Sequence, residues 1–198
     1  SNTTGPKGIS AYHGGTGTAN ITATGTVTGT YQEGIEFEGT KANAHFTLTG
    51  SGNNTISGAT HGVRSVTNNA DITIKDFGKV AGGTEAGIYA RSKGGDITVQ
   101  DIANATSETS FAMDLDSRSG DSNPDGSIVI ENVAIEGRFL NPQPTNPDPD
   151  ATVTVFGNID TAAATGIKAR AGTGSVTIGD LNHNTGRGIN IVMALGNA

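Results

Sequence analysis

The stretch GIYARSKGGDITVQDI, Gly87 to Ile102, decides the fold, because it returns without a gap as GIKARAGTGSVTIGDL, Gly166 to Leu181. Gly87 aligns with Gly166, Ile88 with Ile167, Ala90 with Ala169, Arg91 with Arg170, Gly95 with Gly174 and Thr98 with Thr177. Looser copies of the unit fill the chain on either side. Self-similarity at this period marks a short supersecondary unit that cannot bury its apolar face alone and stacks on copies of itself.

Working outward, coils begin at Gly8, Gly34, Gly62, Gly87, Ser110, Gly137, Gly166 and Gly188, which gives coils of 22–29 residues. Glycine at most of these starts suits a tight turn or a left-handed backbone position. Each coil opens with a short strand of alternating character. Its inward pairs read Ile9/Ala11, Ile35/Phe37, Val63/Ser65, Ile88/Ala90, Phe111/Met113, Ile167/Ala169 and Ile189/Ile191. In the coil at Gly137, Arg138 stands where an apolar residue is expected. A second strand follows a polar turn, with inward pairs Ile21/Ala23, Phe46/Leu48, Ile72/Ile74, Ile97/Val99, Ile128/Ile130, Val153/Val155 and Val176/Ile178. Period two puts both members of a pair on one face. A third apolar point comes at Val27, Ile56, Phe77, Ile102, Val133, Ile159 and Leu181.

The expected fold class is therefore all-β: a right-handed, single-stranded parallel β-helix (β-solenoid) of about seven to eight coils, with three strands to a coil. Helical periodicity is absent, and the frequent Gly and β-branched residues disfavour helix. One solenoid is expected over residues 1–198, with protruding loops at 114–126 (DLDSRSGDSNPDG) and 141–150 (NPQPTNPDPD). The second loop carries four prolines, none of which can donate to a strand ladder.

Composition narrows the function. The 198 residues include 30 Gly, and only 33% are hydrophobic, a supply that suits short stacked strands better than one globular core. With no Cys, disulfides and thiol chemistry are excluded. A net charge of −7 argues against nucleic acid and against an anionic membrane surface. No apolar run approaches the ~18–20 residues of a transmembrane helix.

Catalytic motifs are missing: there is no G-x-S-x-G, no H-E-x-x-H and no P-loop. The four histidines (His13, His45, His61 and His183) fall at different coil positions. On the first strand the outward rows read Glu36, Arg64, Tyr89, Ala112, Lys168 and Glu38, Val66, Arg91, Asp114, Arg170. Glu36 with Arg64, and Arg91 with Asp114, are expected to form charge pairs between adjacent coils. A β-helix enzyme acting on acidic polysaccharides, by lysis or hydrolysis, is the alternative function. It would need clustered carboxylates with a base on one outer face, and these rows alternate in sign instead. A minor alternative is ice binding through the outward row Thr22, Thr47, Thr73, Thr98, Val129, Thr154, Thr177. The row beside it (Asn20, His45, Asp71, Asp96, Ser127, Thr152, Ser175) is mixed and charged, which spoils a flat threonine face.

One stretch resembles a metal loop. In DSNPDGSIVIEN, Asp121, Asn123 and Asp125 stand at positions 1, 3 and 5 of a calcium loop, Gly126 at the turn and Ser127 at position 7. Alternating oxygen ligands round a glycine turn can wrap calcium. Position 12 is Asn132 rather than the usual Glu, and Asp114 and Asp116 are the upstream carboxylates that could replace it. The competing reading is a plain Asp/Asn/Pro/Gly turn. No other cofactor is expected.

The recurring GIxA…G-x-[IV]-T-[IV] unit, present as GIYARSKGGDITV and GIKARAGTGSVTI, resembles the passenger domains of type V autotransporters of Gram-negative bacteria, over roughly Gly8 to Leu195. The resemblance implies a Cys-poor, non-catalytic β-helix displayed outside the cell, an adhesin or a stalk, with host-cell or extracellular-matrix surface components as partners. It implies anchoring at the outer membrane through a domain beyond this stretch, no direct membrane insertion by the stretch itself, and a chain that is one segment of a longer protein.

Overall fold

The computed structural model describes residues 2–108, 110, 112–117, 126–136, 140–143, 153–157, 167–171, 176–181 and 189–193, with side chains described as far as Val133. Every element among them is a strand. After β1 (Thr3–Gly5), three strands make each turn: β2 (Ile9–His13), β3 (Gly17–Thr22) and β4 (Val27–Gly29); β5 (Ile35–Gly39), β6 (Ala44–Thr49) and β7 (Thr55–Gly58); β8 (Val63–Val66), β9 (Ile72–Phe77) and β10 (Lys79–Gly82). Then β11 (Ile88–Arg91) leads into β12 (Ile97–Ser107), which runs round a corner and supplies the second and third sides in one strand. Next come β13 (Met113–Asp116), β14 (Ile128–Glu136), β15 (Leu140–Gln143), β16 (Val153–Gly157), β17 (Ile167–Ala171), β18 (Val176–Leu181) and β19 (Ile189–Met193).

All pairings are parallel. First strands form an eight-stranded sheet in the order β2-β5-β8-β11-β13-β15-β17-β19, and the other strands form an eleven-stranded sheet over the remaining two sides. The chain is thus an all-β, parallel-strand solenoid, with about four turns in which all three sides are described.

Inside, like stacks on like. One first-side column runs Ile9–Ile35–Val63–Ile88–Met113 and its neighbour Ala11–Phe37–Ser65–Ala90–Leu115. On the second side, Phe46–Ile72–Ile97–Ile128 and Leu48–Ile74–Val99–Ile130 form the equivalent pair of columns. Across the tube the Phe37 and Phe46 rings stack with centroids 4.1 Å apart. Full burial of each Val, Leu, Ile, Phe or Met in these columns contributes about 1.5–3 kcal/mol.

Four expectations need correction. Met113, not Phe111, lies opposite Ile88, and Leu115 lies opposite Ala90. The inward pair of that coil is Met113/Leu115, and Ala112, expected outward, is buried at the coil start in place of Ser110. In the first coil Ala19 and Ile21 pair with Phe46 and Leu48, so the inward pair is Ala19/Ile21, not Ile21/Ala23. The single third apolar point is really two columns: Val27–Ile56–Val80–Ala105, and Phe77–Ile102–Val133 at the corner before it. In the coil expected at Gly137, Leu140 pairs with both Met113 and Ile167 and takes the place assigned to Arg138. The misplacements at Phe111, Ile21 and Arg138 share one cause: alternation fixes which face a residue takes, but a slip of two preserves the faces. The third point divides for another reason, since the corner before the third side carries an apolar column of its own.

The protruding segments are also shorter at their starts than expected. Residues 114–116 lie in β13, and 141–143 lie in β15, with Pro142 opposite Leu115. Residues 118–125 and 144–150 lie outside the described residues.

Corners are made by small residues and short hydrogen bonds. Gly34, Gly62 and Gly87 all have ordinary negative φ, so conformational freedom does not explain them. Close approach does: a Cβ on Gly62 would stand 2.7 Å from the Gly87 carbonyl oxygen and 2.8 Å from that of Ala81. True left-handed corners are taken by Asn43, Asn69, Lys93, Asp76, Asp101 and Asn132, residues dominated by the Asn and Asp that tolerate this region. Asn54, buried, ties a third corner: its Nδ2 donates to Ala23 O at 3.0 Å and its Oδ1 accepts from Ser51 N at 2.9 Å.

Gly62→Ala therefore forces two backbone oxygens apart in the middle of the stack. It should cost about 1–3 kcal/mol, as overpacking of a tight site does. Urea unfolding of the variant checks this, and an unchanged midpoint would show that the coils have slack at this corner.

Candidate binding face

The three outer faces differ in chemistry. On the second side the outward rows are His45, Asp71, Asp96, Ser127; then Thr47, Thr73, Thr98; then Thr49, Lys75, Gln100. In the first coil Asn20, not Thr22, stands opposite Thr47, while Thr22 stands opposite Thr49. The expected threonine row therefore starts one coil later, at Thr47. The first row is a ladder: Asp71 N–H donates to His45 Nδ1 at 3.1 Å, Asp96 N–H to Asp71 Oδ1 at 3.0 Å, and Ser127 N–H to Asp96 Oδ1 at 2.8 Å. Each side chain satisfies the backbone of the next coil, so these groups act structurally. On the third side the outward residues are small: Thr28, Ser57 and Ala81.

The first side carries the tyrosines and the Lys–Glu, Arg–Glu and Arg–Asp pairs. All 3 tyrosines of the chain lie on it or at the turn that enters it: Tyr12, Tyr31 and Tyr89. Glu36 on β5 and Arg64 on β8 are opposite one another and pair at 3.2 Å, as expected. Arg91 pairs with Asp116 at 3.3 Å, not with Asp114, because β13 is shifted by two. The turns add what the strand rows missed. Lys7, Glu33 and His61 each immediately precede the glycine that starts a coil. Lys7 Nζ lies 2.5 Å from Glu36 Oε2 and 3.7 Å from Glu33 Oε2, and His61 Nδ1 lies 4.0 Å from Glu33 Oε1. Their fixed place before Gly8, Gly34 and Gly62 is the signal the sequence carries for them, and it lies in the turns, outside the alternating strand rows.

Burial works to raise the Glu36 carboxyl, but the Lys7 hydrogen bond and charge, the Ser10 hydroxyl and Arg64 outweigh it and hold the carboxyl below its ordinary value. The Glu36 hydrogen bond correspondingly holds Lys7 above its ordinary value. Burial lowers His61, against the pull of Glu85 and Glu33 and with the help of Arg64, so the imidazole is neutral at pH 7. Its ring tilts against Tyr89 at 5.2 Å, and the Arg64 and Arg91 guanidiniums lie 6.0 and 5.4 Å from the Tyr89 centroid.

Of the proposed calcium ligands, Asp121, Asn123 and Asp125 lie outside the described residues. Ser127 is described, and its N–H is held by Asp96. Among the described residues no group of three or more His, Cys, Asp or Glu is placed to hold a metal ion. The base of that loop is defined. Ser117 Oγ donates to Gly126 O at 2.6 Å, as Thr67 Oγ1 does to Ala70 O at 2.5 Å and as Ser92 Oγ does to Gly95 O. Residues 118–125 thus replace the pairs Asn68–Asn69 and Lys93–Gly94 at the same closed corner.

No protein-family description matches the chain, and neither a curated protein nor a solved structure does.

Two outcomes are expected. Glu36→Gln leaves Lys7 and Arg64 facing each other and should cost about 1 kcal/mol at pH 7. A carboxyl whose folded value is depressed contributes stability above its unfolded value, and that stability is lost as pH falls through the folded value. The gap between variant and wild type in thermal melts should therefore close below the ordinary carboxyl value of 4.5. A gap that persists at pH 2–3 would mean the charge is not its cause. Replacing 118–125 by Lys-Gly should leave the β circular dichroism and the melting temperature in place, since the corner closes without the insertion. A collapse of the spectrum would show that the segment is part of the tube.

Proposed function

We propose that this chain is a non-catalytic, surface-displayed segment of an autotransporter passenger, an adhesin or the stalk that carries one, wound as a right-handed β-helix of seven to eight coils. The gapless return of Gly87–Ile102 at Gly166–Leu181 and the parallel stacking of like residues support the winding. The segment works outside the cell, held to the bacterial surface through another domain, and host-cell or matrix components are its partners.

One observation supports the non-catalytic reading above others: the carboxylates Glu36, Asp116, Asp71 and Asp96 on the outer faces are already engaged within the protein. Glu36 is bound by Lys7 and Arg64, Asp116 by Arg91, and Asp71 and Asp96 hold backbone N–H groups. A glycoside hydrolase needs a carboxyl kept protonated near neutral pH. Glu36, in the densest cluster, is pushed the opposite way.

The purified chain, incubated with polygalacturonate and pectin, should release no reducing ends and no unsaturated products. Turnover that survives repurification would overturn the reading in favour of a polysaccharide-degrading enzyme. Antibody to the chain should label intact cells of the producing bacterium, and label confined to permeabilised cells would remove the display reading.

A further inference from the structure

Tyr12 is 70% exposed, yet its hydroxyl has a partner on the protein. Its hydroxyl is 3.0 Å from Thr40 Oγ1, one coil further on, and either atom can donate. Below the ring edge lies Gly14, where an added Cβ would stand 3.1 Å from Tyr12 Cε1. An exposed aromatic normally loses rotamer freedom when it binds something, and that loss opposes binding. Here the Thr40 hydrogen bond favours one ring orientation, with Ser10, Glu38 and Thr40 exposed on the same side. Tyr31, 77% exposed, stands at the turn that enters the same side, its N–H bonded to Pro6 O. Tyr89 differs: it is half-buried, and His61, Arg64 and Arg91 already lie against it.

We propose that the first side binds a neutral glycan chain, with Tyr12 and Tyr31 as stacking platforms and Ser10, Glu38 and Thr40 as the polar rim of the Tyr12 subsite. The inference rests on the surface-binding reading and names its ligand class. Three features select that class. A sugar ring has one apolar face edged by hydroxyls, which fits a lone tyrosine set among polar groups. Tyr12 and Tyr31 are the only large hydrophobics exposed among the described residues, too little apolar surface for the core of a stable protein interface. The chain carries −7, and Lys7 and Arg64 on this side are already held by Glu36, so no field favours a polyanion. Stacking of nucleic-acid bases on these tyrosines would meet the same repulsion.

The test titrates the whole chain with soluble oligosaccharides of uncharged glucose, mannose, galactose and N-acetylglucosamine, and with polygalacturonate oligomers as the anionic control. Binding is read by isothermal calorimetry and by saturation-transfer NMR. One uncharged series should bind, and Tyr12→Ala should weaken it about tenfold with no change in melting temperature. Tyr12→Phe, which keeps the ring and loses the Thr40 tie, should fall between the two. Binding of an uncharged series that survives Tyr12→Ala and Tyr31→Ala together overturns the platforms. Binding of the anionic series alone overturns the ligand class. If no oligosaccharide binds, the inference fails, and adhesion of the chain to cultured host cells then separates the two levels. Adhesion that withstands enzymatic removal of cell-surface glycans leaves the broader reading standing, and no adhesion at all removes the adhesin along with the glycan, leaving the stalk.

Discussion

In-register stacking of one coil on the next is the constraint on which everything else depends. Parallel strands about 4.8 Å apart place each residue directly beneath its counterpart. The backbone ladder is then satisfied without turning back on itself, and the interior fills by columns. Ile35–Val63–Ile88–Met113 and Leu48–Ile74–Val99–Ile130 are such columns. A chain that is only 33% hydrophobic can fold this way because each coil contributes a handful of inward residues and borrows the rest of its burial from its neighbours.

The same constraint explains the corners. Where the chain turns, consecutive coils must come as close as they do in the strands, and any side chain that cannot stack is excluded. Gly34, Gly62 and Gly87 leave no room for a Cβ beside the carbonyls of the adjoining coil. Hydroxyls at Thr67, Ser92 and Ser117 close the turn after the first strand by bonding a carbonyl within the same coil. Length variation is therefore admitted between fixed points: the corner closed by Ser117 and Gly126 spans eight intervening residues where its predecessors span two.

Outside the tube, stacking turns single positions into rows, and the three rows of faces acquire different characters. Acidic side chains at the start of the second side are occupied by backbone N–H groups, so charge there serves the fold. The first side instead joins coils through side chains, Glu36 holding Lys7 and Arg64 at once. It is also the side on which tyrosine is exposed, with Tyr12 hydrogen-bonded to a residue one coil away.

By itself the sequence determined the strands, their parallel stacking and the identity of most inward residues, because a gapless repeat and a period of two are local properties. The pairs Ile35/Phe37, Phe46/Leu48, Ile72/Ile74, Ile97/Val99 and Ile128/Ile130 are all inward as read. The Glu36–Arg64 pair was legible too, since both follow a coil-start glycine at the same distance. Only the tertiary structure decided the register of the less regular coils. Met113 rather than Phe111 faces Ile88, and Ala19 rather than Ile21 faces Phe46, because a shift of two leaves every side chain on its proper face and only packing against the adjacent coil removes the ambiguity. That choice then set which charges meet, giving Arg91 to Asp116. It also brought together groups about a coil apart in sequence, Lys7 with Glu36 and Tyr12 with Thr40, whose proximity depends on turn lengths that no pattern in the chain specifies.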